Sequence, residues 1–227
     1  MGSGMKPILI EDFLERTGFD LNDFSAVDPS RVKYVIGLRE MTKIISISVM
    51  PKDYLYRLLK KIGIAGSFDE KIYENAKINF AKIDPHTLRL GQKFVYRKNY
   101  MAILENFPDL FGYFHVSRGI SNLTAFIIFG KDKNGTMALA HYLPPIIEIH
   151  DKRSILLDGV HRNFIVKNSG TTIEAITIYD IKAPFPCAPQ KWDEVLVIDH
   201  KPEKIEDRYF DLKPELFRDL KSIGIDG

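Results

Sequence analysis

Five consecutive residues, Asp158-Gly159-Val160-His161-Arg162, set an acid, a glycine, an imidazole and a guanidinium at the end of an apolar run. Gly159 has no Cβ, so its backbone tolerates positive φ and close approach to a ligand. A helix that starts at Val160 or His161 directs its first N–H groups to the same point, and such a helix start favours phosphate. Arg162 adds a bidentate contact to phosphate oxygens. His161 donates a hydrogen bond or carries a proton near neutral pH. Asp158 caps the helix, orients His161, or holds Mg²⁺ beside the phosphates. The same residues also suit a purely structural turn, in which Asp158 only caps and His161-Arg162 is a solvated pair.

The elements around the turn must position it. Ser154 to Leu157 reads as an apolar strand that runs into the turn. A short helical run follows, and then a β-branched strand, Thr171 to Tyr179. That is the size of a small βαβ-type unit. Upstream, Pro144-Pro145 breaks one ladder before the next strand starts at Ile146. Ala125–Phe129 and Met137–Leu143 read as strands of a hairpin whose turn contains Asn134-Gly135. Ile78 to Ile83 alternates as a strand and stops at Asp84-Pro85. Asn99 to Phe107 reads as a helix ending near Pro108.

The first third reads as largely helical. Helices are expected from Pro7 to Thr17, from Pro29 with Asp28 as its cap, and from Asp53 to Lys61, while Lys43 to Met50 suits a strand better than a buried helix. Gly66 to Asp69 is a plausible joint. Past Tyr179, Ala183 to Pro189 carries three prolines and reads as extended surface chain. Glu194 to Ile198 suits a short strand and Pro214 to Lys221 a last helix. Helices and strands are therefore mixed in an α+β pattern.

The bulk numbers exclude several classes. With 227 residues and 45% apolar content the chain can bury a sizeable core. A formal charge of +2 argues against a surface coated for long nucleic acid, while leaving room for a local basic groove. Cys187 is the only cysteine, so no internal disulfide forms and no thiolate cage can hold a metal. No apolar run approaches a membrane span, and a cytoplasmic address is expected. Met1-Gly2-Ser3-Gly4 ahead of Met5 reads as a cloning remnant.

Other constellations are weaker. Six histidines are scattered and none has metal-ligand spacing. Alternation puts Glu148 and His150 on one strand face, where they flank a substrate or simply precede a hairpin turn at Asp151-Lys152-Arg153. Arg89 and Arg97 extend a cationic pocket or are solvated. Phe107, Phe111, Tyr113 and Phe114 pack a core or form a base-stacking wall. Ser117-Arg118-Gly119 is a weak second anion loop.

The stretch from Ile78 to Asp180 resembles the ParB/sulfiredoxin-like superfamily. The residues that carry the likeness are Leu143-Pro144-Pro145-Ile146-Ile147, then Ile155-Leu156-Leu157-Asp158-Gly159-Val160-His161-Arg162, then Glu174 to Ile178. Lys82 to Arg89 is similar to the first strand of that fold and its following loop. The Asp-Gly-x-His-Arg version is most similar to the free serine kinase branch, with a ParB-like nuclease as neighbour. The resemblance implies a mixed sheet with helices and a mainly helical N-terminal extension. It implies a turn that binds ATP or another nucleotide, with Mg²⁺. Gly159, Val160 and His161 then give N–H groups to phosphates, Arg162 stabilises charge, and Asp158 holds Mg²⁺ or aligns His161. His86 and Thr87 face a small-molecule acceptor, with Arg89 beside them. The implied activity is phosphoryl transfer or nucleotide hydrolysis. The alternative is DNA binding, or nuclease action, on a backbone phosphate.

The chain departs from these relatives in places. Thr87 stands where serine kinases of this type carry a glutamate, and threonine alone is not a general base. Val160 stands where sulfiredoxins carry a cysteine. The chain after Tyr179 is too short in helix for the helix-turn-helix domain of chromosome-partitioning ParB proteins. The expected division is residues 1–4 as remnant, 5–75 as helical extension, 76–183 as the ParB/sulfiredoxin-like domain, and 184–227 as an extended segment and helix. The sequence carries no reading of oligomeric state.

Overall fold

A computed structural model describes residues 5–20, 23–24, 29–65, 67–112 and 124–225. In chain order the first elements are β1 (Ile8–Leu9), α1 (Ile10–Thr17), β2 (Tyr34–Val35), β3 (Met41–Val49), α2 (Lys52–Lys60), β4 (Gly63–Ile64) and β5 (Ser67–Lys71). Next come β6 (Lys77–Ile83), β7 (Arg89–Leu90), β8 (Phe94–Tyr96), α3 (Arg97–Gly112), β9 (Phe126–Asp132) and β10 (Met137–Tyr142). The last are β11 (Ile146–His150), β12 (Arg153–Asp158), α4 (Val160–Asn168), β13 (Ile173–Tyr179) and β14 (Leu196–Ile198). The fold is α+β.

The chain forms two compact units, and neither is continuous in sequence. The first comprises residues 1–74, 124–143 and 218–227, and the second 75–123 and 144–217. One division between the units falls between residues 74 and 75. The expected inclusion of the 125–143 hairpin in the ParB-like stretch does not hold. That hairpin completes the sheet of the first unit, in the order β1-β2-β10-β9-β3. The mainly helical character expected for residues 5–75 is also corrected. Their described residues supply β1, β2 and the strand expected at Lys43–Met50, here the nine-residue β3, to that sheet, together with the short β4–β5 pair and two α-helices. The reason is long-range pairing. β3 is held antiparallel to β9, and β2 lies parallel to β10, so partners distant in sequence decide structures that local periodicity leaves open.

The core of the first unit is aromatic. Phe19 stacks on Tyr54 with ring centroids 4.1 Å apart, Phe13 packs on Phe19, and Phe24 meets Phe129 edge-on. Inside this cluster the Tyr54 hydroxyl and His141 Nε2 share a hydrogen bond at 2.9 Å. Burial pushes the His141 pKa down to about 4, while the Gly224 backbone beside Nδ1 works in the opposite direction. An unfolded chain takes up a proton near pH 6.5 that the folded imidazole refuses. This contribution to stability is therefore complete above pH 6.5 and is lost as pH falls towards 4, by roughly 3 kcal/mol. Urea unfolding across this window should show that slope. A His141→Leu variant should be flatter, and equal slopes in both proteins would contradict the assignment.

The second unit holds the turn. Its sheet runs β6-β13-β11-β12-β7, with β6 and β13 antiparallel, β13 and β11 parallel, β11 and β12 antiparallel, and β12 and β7 parallel. The expected strand–turn–helix–strand succession is present as β12-α4-β13. It is not a parallel βαβ unit, because β11 lies between the two strands and β12 runs against it. Leu88, Leu90, Val95, Ile147, Leu156, Val160 and Ala175 form the core cluster against which α4 packs. Val160, Asn163 and Val166, at a spacing of three, are the buried positions of α4. Three helix expectations differ from the structure. The helix expected from Pro29 is a single 3-10 turn, Pro29–Arg31. The helix expected to stop near Pro108 continues to Gly112. The last helix is instead two 3-10 turns, Pro214–Leu216 and Lys221–Ile223.

Several expectations fall outside the described residues: the remnant at 1–4, the Asp28 cap, Gly66, and the segment containing Tyr113, Phe114, His115 and Ser117-Arg118-Gly119. The side chains of Phe107 and Phe111 do so too.

Candidate phosphate-binding turn

The turn is shaped before any ligand contact by a β-bulge. Ile146 pairs with Asp158 and Ile147 with Leu156, so Leu157 is the extra residue and β12 bends as it reaches Asp158. Gly159 then takes φ 93, ψ 27, and α4 begins at the next residue. A glycine is needed here for two reasons. The left-handed conformation disfavours side chains, and a Cβ would sit 3.0 Å from Cβ of Pro145 and 3.1 Å from Nη2 of Arg162. No side chain caps the N-terminus of α4. Asp158, expected as a possible cap, lies one residue too early.

The turn is tied from both sides. Asn163 donates twice to the Gly159 carbonyl, through its backbone N–H and its Nδ2, each at 3.0 Å. Pro145, packed against Gly159, accepts from the Ile176 N–H at 2.8 Å, fastening the turn to the central strands. Sequence reading did not single out Asn163. Its signal is an asparagine inside a helix, where that residue is disfavoured unless its amide has a local task.

The charged groups are engaged within the turn. Arg162 Nη2 lies 3.3 Å from Asp158 Oδ2, and the two side chains are 13% and 12% exposed. The guanidinium thus stays over Gly159 and carries the Asp158 carboxylate. His161 Nε2 accepts from the backbone N–H of Tyr96 at 3.1 Å, with the two rings 5.7 Å apart. Nε2 is therefore unprotonated and the neutral ring carries its proton on Nδ1. A proton-transfer role for Nε2 requires that bond to break.

The other expected residues lie elsewhere. Pro85–Thr87 is a 3-10 turn, whose Asp84 cap accepts from the His86 N–H at 2.9 Å. Arg89 is in register with Ile155, three residues before Asp158 and about 10 Å along the strand from it. His86, Thr87 and Arg89 line a cleft with Lys167, in the last turn of α4. Val160 and Lys167 are about 10 Å apart along the helix axis. The structure therefore divides the expected site: Asp158 to Arg162 stand at the start of α4, and His86, Thr87 and Arg89 near its end.

Glu148 and His150 do share a face, as expected, and bind each other. His150 Nε2 and Glu148 Oε2 are 2.6 Å apart and the glutamate is fully buried. The Asp151-Lys152 turn beside them has positive φ at both residues, the geometry of a tight hairpin. Among the described residues no three His, Cys, Asp or Glu side chains converge as a metal cluster. None of the described helices is long and apolar enough to cross a membrane. No family model, curated protein or solved structure matches the chain.

Proposed function

We propose that the turn at residues 158–162 binds the phosphates of a nucleotide, in a protein of the ParB/sulfiredoxin-like type that transfers or hydrolyses a phosphoryl group. One observation carries the reading. α4 opens on a left-handed glycine with no side-chain cap, and the Arg162 guanidinium lies over that glycine. A helix start of this kind presents main-chain donors and partial positive charge to an anion. The Asp158 carboxylate now on Arg162 marks the guanidinium as placed to hold an anionic oxygen at the turn. An incoming phosphate would displace that carboxylate, and Asp158 would then be the residue that holds a Mg²⁺ ion, which would neutralise phosphate charge.

In this scheme Val160, His161 and Arg162 bind and orient, and Asn163 and Pro145 keep the turn in shape. His161 acts through position, with Nε2 fixed by Tyr96. An acceptor must reach within about 3.5 Å of the phosphorus for in-line attack. His86 and Thr87, beyond the far end of α4, are therefore not its contacts in this conformation.

Melting of the full chain tests the proposal. ATP, ADP or CTP with Mg²⁺ should raise the midpoint with the logarithm of ligand concentration above Kd, with about 2.7 kcal/mol of stabilisation at a hundredfold excess. Arg162→Ala should remove most of that rise. No rise with any of the three nucleotides would reject the reading. Duplex DNA binding that falls steeply with salt and depends on Arg162 would replace it with the backbone-phosphate alternative.

A further inference from the structure

The second unit carries another concave site, at the opposite end of α4. A cleft of about 300 Å³ is lined by His86, Thr87, Arg89, Lys167, Lys191 and Trp192, and also by the acid Asp193. Its three permanent cations come from three separate places: β7, the last turn of α4 and the segment before Trp192. None of the three forms an ion pair among the described residues. One acid against three cations leaves an excess of two positive charges, the complement of a dianion.

The walls are fastened. Gln190 and Leu90 exchange backbone hydrogen bonds, Leu90 N to Gln190 O at 2.8 Å and Gln190 N to Leu90 O at 2.9 Å. The Trp192 indole donates to the Pro85 carbonyl at 2.7 Å. The segment bearing Lys191 is thus locked against the 3-10 turn bearing His86 and the strand bearing Arg89. Lys167 Nζ lies 5.7 Å from the Trp192 ring centre, on the remaining side. The last carbonyls of α4 already accept from Ser169, Gly170 and Thr171, which limits their repulsion of an anion.

We infer that this cleft is a binding site for a small dianion of the phosphate-monoester class, separate from the turn at residues 158–162. Arg89 supplies a planar fork for two phosphate oxygens. Lys167 and Lys191 act as point charges, and the Thr87 hydroxyl and His86 ring add hydrogen bonds. The about 10 Å along α4 between Val160 and Lys167 excludes one phosphate from touching both ends.

Trp192 is the only tryptophan of the chain and lines this cleft, so its fluorescence reads the cleft directly. Methyl phosphate and inorganic phosphate should each change its emission saturably. Sodium chloride at matched ionic strength should not. The double variant Lys167→Ala/Lys191→Ala should weaken the transition by about tenfold or more, the size expected when two charge-assisted contacts are lost. Lys191→Arg, which keeps the charge, should bind as the parent does. Arg162→Ala should also leave the titration unchanged, which separates this inference from the proposal for the turn. A response that chloride reproduces, that survives the double variant, or that is absent for both phosphates would overturn it.

Discussion

Gly159→Val should abolish nucleotide-dependent stabilisation and cost the protein about 3 kcal/mol by itself. The two effects share a cause. Valine is β-branched, and at φ 93 it meets the strain that makes the left-handed region rare outside glycine. Its Cβ would also press on the Pro145 ring at 3.0 Å and on Arg162 Nη2 at 3.1 Å. The guanidinium can swing away at small cost, but the proline is tied to Ile176 and cannot. The turn must therefore open or the guanidinium must leave. Either change takes the Val160 amide and Arg162 out of convergence. Denaturant midpoints give the stability loss, and the melting shift with ADP and Mg²⁺ gives the binding loss. Gly159→Asn, which tolerates positive φ better, should lose less stability while still displacing Arg162. A valine variant that still gained the parent's full shift with ADP would show that the turn is not the phosphate site.

A second large effect is expected far from the turn. Gly130→Val should destabilise the sheet of the first unit by about 3 kcal/mol or more, beyond the ordinary cost of overpacking. Gly130 lies in β9, between Ala138 of β10 and Ile44 of β3. A Cβ there would overlap the Lys43 carbonyl oxygen and come within 2.5 Å of Met41 Sδ. The methionine can move, but the carbonyl belongs to the backbone of the paired strand. Relief requires β3 to separate from β9 at its bulge. Hydrogen exchange should show loss of protection in β3 and β9. If the variant instead kept the parent's midpoint and β3 protection, the pairing register would be wrong.

The contrast between these two glycines explains what could be read in advance. Gly159 sits in a local pattern: an apolar run, an acid-glycine turn, a charged helix start and a β-branched strand. Each step depends on neighbours within a few residues, so β12, α4 and β13 were legible. The Asn134-Gly135 hairpin was legible for the same reason, and Gly135 takes φ 78. Gly130 is constrained by Lys43, nearly ninety positions away, and nothing around it announces that. Two-residue strands such as β1, β2 and β4 carry no periodicity, so residues 5–75 looked more helical than they are.

The site was legible only in part, again for geometric reasons. Asp158, Gly159, Val160, His161 and Arg162 are adjacent in sequence and remain so in space. His86 follows β6, and its loop leads into β7 beside β12, so nearness to the turn was a fair expectation. It fails because β7 runs parallel to β12, so its first residue, Arg89, pairs well before Asp158. The loop therefore meets the end of α4 rather than its start. The partners that complete the turn, Tyr96 on β8 and Asn163 within α4, are ordinary residues whose importance appears only once the chain is folded.

The central claim concerns main-chain donors at the start of α4, and amide NMR reads them one at a time. On titration with ADP and Mg²⁺, the Val160 amide proton should move downfield along a saturable curve, with smaller shifts at Gly159 and His161. The same titration of Arg162→Ala should leave it nearly still. If ADP binds while the Val160 amide keeps its place, or moves equally in both proteins, nucleotide phosphates are held somewhere else.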